Sequence, residues 1–299
     1  MKLSLGPLLY YWPKSAVEDF YTDIKTQPIG TVYLGETICT KRQELHLQDW
    51  FDIATDLLNS GKEVVLSSLT LIESRADIKL VKKLCDNTSF LIEANDVGTI
   101  NILTENKLPF VAGSAINIYN IQTLTRLYRS GLMRWVMPVE LNREKLNGII
   151  HELKNDHPEK HIETEVFSYG KLPLAYSARC FTAREKNLPK DNCRLSCMKY
   201  PDGLSVYSQE DQLLFTINGI QTQSGRMYNL LHEWKEMESM GVDMMRISPQ
   251  KNSEHTCAII KSAHQSIEGQ TMPLPLIASS QCNGYWYGKP GMDLHKNTH

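Results

Sequence analysis

The chain has 299 residues, 41% hydrophobic and 22% charged, the balance of a globular protein long enough to bury its core without staples. Thirty-two Lys and Arg against 34 Asp and Glu leave a net charge of -2, which argues against a protein held to duplex DNA mainly by neutralising phosphates. The longest apolar run, residues 8–12, has five residues, far short of a bilayer span, and nothing after Lys2 reads as a signal peptide. The expected location is the cytoplasm, where thiols stay reduced.

Short β-rich runs at 3–5, 31–34, 63–67, 90–93, 110–112 and 134–138 alternate with amphipathic stretches at 16–25, 47–59, 73–86, 96–105, 119–130 and 143–155. Ser15 with Glu18 and Thr70 with Glu73 read as capping boxes. Asn95, Asp96 and Asn117 read as helix caps. Strand then helix, repeated, predicts βα units around a parallel sheet. A seventh strand fits 162–167. Residues 168–225 then break the rhythm, with alternating runs at 204–207 and 213–217 that predict a small antiparallel excursion. A helix pattern at 227–240, a strand at 242–247 and a helix at 253–267 resume it. An open doubly wound sheet would share this rhythm. Length and strand count predict an α/β fold, a (β/α)8 TIM-like barrel with a cysteine-bearing insertion between the seventh and eighth strands. The expected organisation is one barrel domain, 1–299, with the insertion at about 168–225. An irregular segment at about 272–299 would pack on the body or reach a partner.

In a barrel, chemistry sits where strands end and βα loops begin. The residues expected there are Glu36, Cys39, Ser67, Ser68, Glu93, Asn95, Ser114, Asn117, Glu140, residues 168–171, Arg246 and Ser248. Glu36, Glu93 and Glu140 are possible acid/base groups. Glycine-rich nucleotide loops and a G-x-S-x-G elbow are absent. His232-Glu233 begins like a zinc-protease helix, but the position that should hold the second histidine is Glu236. No catalytic residue is assigned.

Of seven cysteines, Cys85 and Cys257 lie on apolar helical faces and read as small buried hydrophobes. Cys282 lies in an irregular polar stretch. Cys180, Cys193 and Cys197 crowd into 18 residues with no hydrophobic period around them, among Arg179, Arg184, Lys186, Lys190, Arg194 and Lys199. Cys39 follows the second strand and precedes Lys41 and Arg42. Cationic neighbours favour thiolates, and the two loops would emerge on one barrel face. Four such thiolates suit zinc or an iron–sulfur cluster. With only Cys193 and Cys197 spaced as a zinc knuckle, a cluster is favoured over zinc.

Glu165-x-Phe167-x-x-Gly170 resembles the signature of the collagenase-like peptidase family. That family continues with a small residue and soon a cysteine. This chain has Lys171 instead and reaches Cys180 through Pro173-Leu-Ala-Tyr-Ser177-Ala-Arg179. That run, Cys193-x3-Cys197, Gly35-Glu-x-x-Cys39 and Asn283-Gly284-Tyr285-Trp286 together resemble, over the whole chain, the family members that serve ubiquinone biosynthesis. The resemblance implies a 4Fe-4S cluster on Cys39, Cys180, Cys193 and Cys197. It implies a heterodimer with a UbiU-like paralogue, a sterol-carrier-like lipid-binding protein as further partner, and oxygen-independent ring hydroxylation of a prenylated aromatic quinone precursor. Related members hydroxylate RNA bases, and prephenate is implicated as oxygen donor. RNA base modification and a non-catalytic, metal-stabilised scaffold are the alternatives. Proteolysis is not expected, since no nucleophile with its base is evident.

Overall fold

The computed structural model describes all residues except 88, 158, 160, 251–252, 271–279 and 296–299. Seven strands, β1 (Lys2–Leu5), β2 (Thr31–Leu34), β3 (Glu63–Ser67), β4 (Leu91–Ala94), β5 (Phe110–Ala112), β6 (Leu132–Val136) and β7 (Glu163–Gly170), pair in chain order and in parallel. The insertion follows, with β8 (Pro173–Tyr176), β9 (Leu204–Tyr207), β10 (Leu213–Asn218) and β11 (Gln221–Ser224). After β12 (Met227–Asn229), β13 (Met244–Ile247) pairs in parallel with both β7 and β1 and closes an eight-stranded barrel. The expected barrel is the observed one, and its closure excludes the open sheet.

The helices are α1 (Lys14–Lys25), α2 (Leu47–Asn59), α3 (Arg75–Cys85), α4 (Val97–Glu105), α5 (Ile121–Tyr128), α6 (Arg143–Asp156), α7 (Phe181–Glu185), α8 (Trp234–Met240) and α9 (Ser253–Ile267). Their packing follows the helical period. In α2, Trp50, Ala54 and Leu57 are buried, at i, i+4 and i+7. Among the described residues no helix is long and apolar enough to cross a membrane.

The insertion carries a four-stranded antiparallel sheet in the order β8-β11-β10-β9, so the alternating runs at 204–207 and 213–217 do pair. One boundary differs: 227–240 is not a single helix. Met227–Asn229 is β12, antiparallel to the end of β7, and the α-helix starts at Trp234. The strand β14 (Gln281–Cys282) joins β12 in parallel. Of the segment 272–299, residues 272–279 and 296–299 lie outside the described residues. The described part packs on the body, with Trp286 fully buried and its Nε1 donating to Glu236 at 3.2 Å.

Several caps also differ. Ser15 lies inside α1, which starts after Pro13 with no side-chain cap. Ser74, not Thr70, caps α3, and Asp77 completes the box, while Thr70 Oγ1 donates to the Thr37 carbonyl. Asp96 caps α4 as expected. Asn120, not Asn117, caps α5.

Candidate functional site

Strand alternation turns every second side chain inward. In most barrels those positions hold branched apolar residues. Here Tyr33, Val65, Val111 and Val136 form only a small apolar cluster, and charged groups fill much of the rest. Glu165 is wholly buried. It accepts from Ser4 Oγ at 2.5 Å, Tyr33 OH at 2.5 Å and Arg246 Nε at 2.7 Å. Arg246 also donates from Nη1 to Glu93 at 2.7 Å and stacks on the Tyr33 ring, 4.0 Å from its centroid. Ser67 Oγ donates to Glu93 at 2.6 Å. Toward the opposite end, Arg134 donates to Tyr33 OH, Glu63 and Glu163. Burial alone would raise the Glu165 carboxyl, but Arg246, with Arg134 and Ser4, outweighs it and holds that carboxyl below the ordinary range.

The Glu-x-Phe-x-x-Gly signature acquires a physical meaning here. Glu165 anchors the interior network and Phe167 lines the barrel mouth. The β7–β13 register slips by one residue at Ser168, a bulge that bends the strand. Gly170 has φ +133, and a Cβ there would lie 2.6 Å from Ser248 Cβ.

Glu93, Asn95, Ser114, Phe167, Tyr176, Arg246 and Ser248 line a mouth cavity of about 30 Å³, room for a water-sized group. Asn95 is not a cap; its Nδ2 donates to the Ser68 carbonyl at 3.0 Å. Among the described residues Arg246 Nη2 is buried without a hydrogen-bond partner. Glu165 and Glu93 already answer the charge of this guanidinium, so its spare N–H suits a neutral carbonyl or hydroxyl oxygen better than an anion. Ser168 Oγ is turned to the Val166 carbonyl and Lys171 Nζ to Thr216 Oγ1. Glu140 and Asn117 are exposed and do not line the mouth cavity.

The cysteine-bearing loops meet beside this mouth. Cys39 and Cys180 pack, with Tyr176, against the cluster of Leu9, Ile38 and Ile220. Leu9 and Tyr176 also line the mouth cavity. Cys197 lies close enough to Cys180 and Cys193 for their charges to interact, and Cys39 likewise to Cys180. Cys39 faces a further cavity of about 210 Å³, and all four thiols are half-buried. Arg194 and Leu195, both at φ +50, turn the chain between Cys193 and Cys197 through the left-handed region, which ordinary residues avoid.

Arg42 joins the two loops. Its guanidinium donates to the Leu9 carbonyl at 2.8 Å and to Asn218 Oδ1 at 2.7 Å. Burial pushes the Cys197 thiol up, and Arg42 partly offsets this. Glu36 accepts from the Ile38 and Cys39 amides at 2.8 and 3.0 Å, 3.8 Å from Arg42. Lys41 and Lys190 act as staples instead. Lys41 Nζ donates to the Lys190 carbonyl at 2.8 Å, and Lys190 pairs with Glu73.

Among the described residues no three His, Cys, Asp or Glu side chains stand at single-ion distances. The residues nevertheless fit a multi-iron group. Four thiols lie in neighbouring loops, and among the described residues the Arg42 Nε is buried with no hydrogen-bond partner, a spare donor for sulfur. By contrast, Cys85 and Cys257 are buried on helices. Cys282 is buried on β14, beside the Arg226 carbonyl.

The sequence reading placed Glu93 and Arg246 near the mouth but missed Ser4, Tyr33 and Arg134. Their signal was present as polar or charged residues at alternate positions of apolar strands, including Glu63, Arg134, Glu163 and Glu165.

The profile of the family described as peptidase family U32 matches residues 22–270. Two solved structures of dihydropteroate synthase from Thermus thermophilus are also similar. One is 10% identical, with a TM-score of 0.41, over 90% of this chain and 92% of that one. The other, in complex with 4-aminobenzoate, is 9% identical, with a TM-score of 0.38, over 87% and 93%. The fold assignment rests on the strand pairing and not on these likenesses.

Proposed function

Because the chain belongs to peptidase family U32, we propose that it is an iron–sulfur subunit of an oxygen-independent hydroxylase, similar to the ubiquinone biosynthesis protein UbiV. It acts with a UbiU-like paralogue and a sterol-carrier-like lipid-binding protein on a prenylated aromatic ring. The observation that carries this reading is the meeting of the Cys39 loop with the insertion bearing Cys180, Cys193 and Cys197, next to the barrel mouth.

In this reading Cys39, Cys180, Cys193 and Cys197 hold a 4Fe-4S cluster, which supplies redox equivalents that no side chain can. Arg42 links the two loops through Leu9 and Asn218 and would have a spare donor to offer a sulfur of such a group. Glu36 fixes the backbone ahead of Cys39. In the mouth, Arg246 Nη2 holds a neutral oxygen of the substrate, and Glu165 and Glu93 keep the guanidinium in place.

The test is anaerobic purification followed by iron analysis and quinone profiling of a deletion strain. Brown protein with bound iron is expected, together with loss of ubiquinone and accumulation of an under-hydroxylated prenylated precursor only without oxygen. Colourless protein with stoichiometric zinc overturns the cluster. Intact anaerobic ubiquinone with a hydroxylated base missing from RNA replaces the quinone ring by RNA as substrate.

A further inference from the structure

The mouth cavity has more unanswered hydrogen-bonding capacity than Arg246 alone supplies. Thr37 lines it too. This residue is 1% exposed, and among the described residues its Oγ1 has no hydrogen-bond partner. Its backbone is pinned from the next loop, because Thr70 N and Oγ1 both donate to the Thr37 carbonyl, each at 2.9 Å. A third polar group on the lining is Tyr176. The Tyr176 hydroxyl oxygen accepts from Gln221 Nε2 at 3.1 Å, which leaves its proton to give. Burial pushes this hydroxyl up to about 12, so it remains a donor at neutral pH. A buried N–H or hydroxyl without a partner costs free energy. Two of them, on Arg246 and Thr37, line one small cavity and suit a polar atom arriving from outside.

Charge narrows what that atom is. One guanidinium, Arg246, meets two carboxylates, Glu93 and Glu165, each at 2.7 Å. An added anion would face an excess of negative charge, and an ammonium has no lone pair for the Arg246 N–H. An uncharged oxygen accepts from the guanidinium and from a hydroxyl together. The cavity is about 30 Å³, so such an oxygen enters while a ring bearing it stays outside. Leu9, Phe167 and Pro173 are the apolar neighbours of the donors.

We propose that Thr37 and Tyr176 determine specificity at the mouth, forming with Arg246 a cradle of donors that takes one phenol or ketone oxygen and rejects carboxylates and amines. The inference rests on the mouth being the substrate site, as proposed above, but not on the cysteines or on a quinone ring. The experiment titrates the full chain with 4-fluorophenol at neutral pH, followed by fluorine NMR, and compares 4-fluorobenzoate and 4-fluorobenzylamine. Stability to urea is measured on the same proteins.

Saturable 4-fluorophenol binding is expected, with the benzoate and the benzylamine weaker. Thr37→Val and Tyr176→Phe should each weaken it about five- to ten-fold, the worth of one hydrogen bond. Thr37→Val keeps the shape and removes an unpartnered hydroxyl, so its urea midpoint should be no lower than the parent's. Tyr176→Phe keeps the binding test valid if Thr37→Val does not fold. Absence of saturable binding, binding unchanged in both variants, or equally tight benzoate overturns the proposal, as does a lower urea midpoint for Thr37→Val. A separate apolar cavity of about 190 Å³ is lined by Leu80 and Val81; a probe lodged there responds to Leu80→Glu and not to Thr37→Val, which also overturns it. The expected pattern in a protein whose deletion leaves anaerobic ubiquinone intact keeps the cradle and discards the quinone reading. Loss of anaerobic ubiquinone on deletion, with probe binding equal in parent and both variants, keeps that reading and discards the cradle.

Discussion

Glu165 and Arg246, 81 positions apart, join side chains at 2.7 Å inside the barrel, both buried. Neighbouring strands β7 and β13 carry them, so this ion pair welds the last seam of the barrel. Glu165→Gln keeps the shape but sets an amide among three donors. Breaking a buried pair in this way costs about 3–5 kcal/mol, measurable by urea unfolding. The pH dependence follows from the depressed carboxyl. Its stabilisation is fully present above the ordinary carboxylate value and is lost as pH falls through the folded-state value. The gap between wild type and Glu165→Gln should therefore narrow on acidification; a constant gap down to acid unfolding would contradict the assignment.

Gly170→Ala tests the bulge. A methyl at φ +133 meets Ser248 Cβ and Phe167 Cζ, and backbone strain of this kind costs on the order of 1–3 kcal/mol. Thermal melts should show the loss. Ser248→Gly in the same chain should recover part of it by removing the nearer contact.

Arg42→Gln should loosen the insertion without unfolding the barrel, since the Lys41, Lys190 and Asn218 contacts remain. Hydrogen bonds to a charged group contribute about 1.5–3 kcal/mol each, and two are lost, to Leu9 and Asn218. Limited proteolysis should move to the 177–203 region, while the far-ultraviolet spectrum stays near that of the parent. Iron retention should fall in step.

Thiol chemistry separates two classes of cysteine. Burial pushes the Cys85 and Cys282 thiols up to about 12, so neither is a useful nucleophile at neutral pH. Iodoacetamide should label the half-buried Cys180 and Cys193 in iron-free folded protein and spare Cys85 and Cys282 until denaturant is added. Early labelling of Cys282 would contradict its placement on β14.

Ligand substitution gives the complementary result. Cys39, Cys180, Cys193 and Cys197 changed singly to Ala should each lower iron content after anaerobic purification. Cys85→Ala and Cys257→Ala should retain iron and lose about 1 kcal/mol or somewhat more of stability to the void left behind. Iron lost in Cys282→Ala but kept in Cys39→Ala would reassign the fourth ligand.

What was legible in the sequence follows from periodicity. Runs such as Val64-Val65-Leu66 and Phe110-Val111-Ala112 are buried on both faces, as strands wrapped by helices must be, and they read plainly. Caps were less legible. Thr70 and Ser74 carry the same hydroxyl, each with a carboxylate three positions on, and only the tertiary bond from Thr70 to Thr37 decides between them. Met227–Asn229 looked helical because its apolar residues continue the period of α8. Pairing with β7, which no local signal encodes, makes it a strand. The interior ion network was hidden for a different reason. Glu165, Arg246 and Glu93 come from strands separated by long stretches of the chain, and their partnership exists only once the barrel curves them onto one axis.

Closure of the barrel has a consequence for synthesis. Lys2 lies opposite Met244 and Leu5 opposite Ile247, so β1, once synthesised, waits until β13 has followed all the strands between them before that edge is covered. Contacts of such sequence separation form late, because loop closure must precede any reward. Until β13 emerges, both β1 and β7 present unpaired edges, the kind of template on which partly made chains aggregate. The insertion lengthens that exposed interval, since all of it must be translated between the two strands that complete the ring.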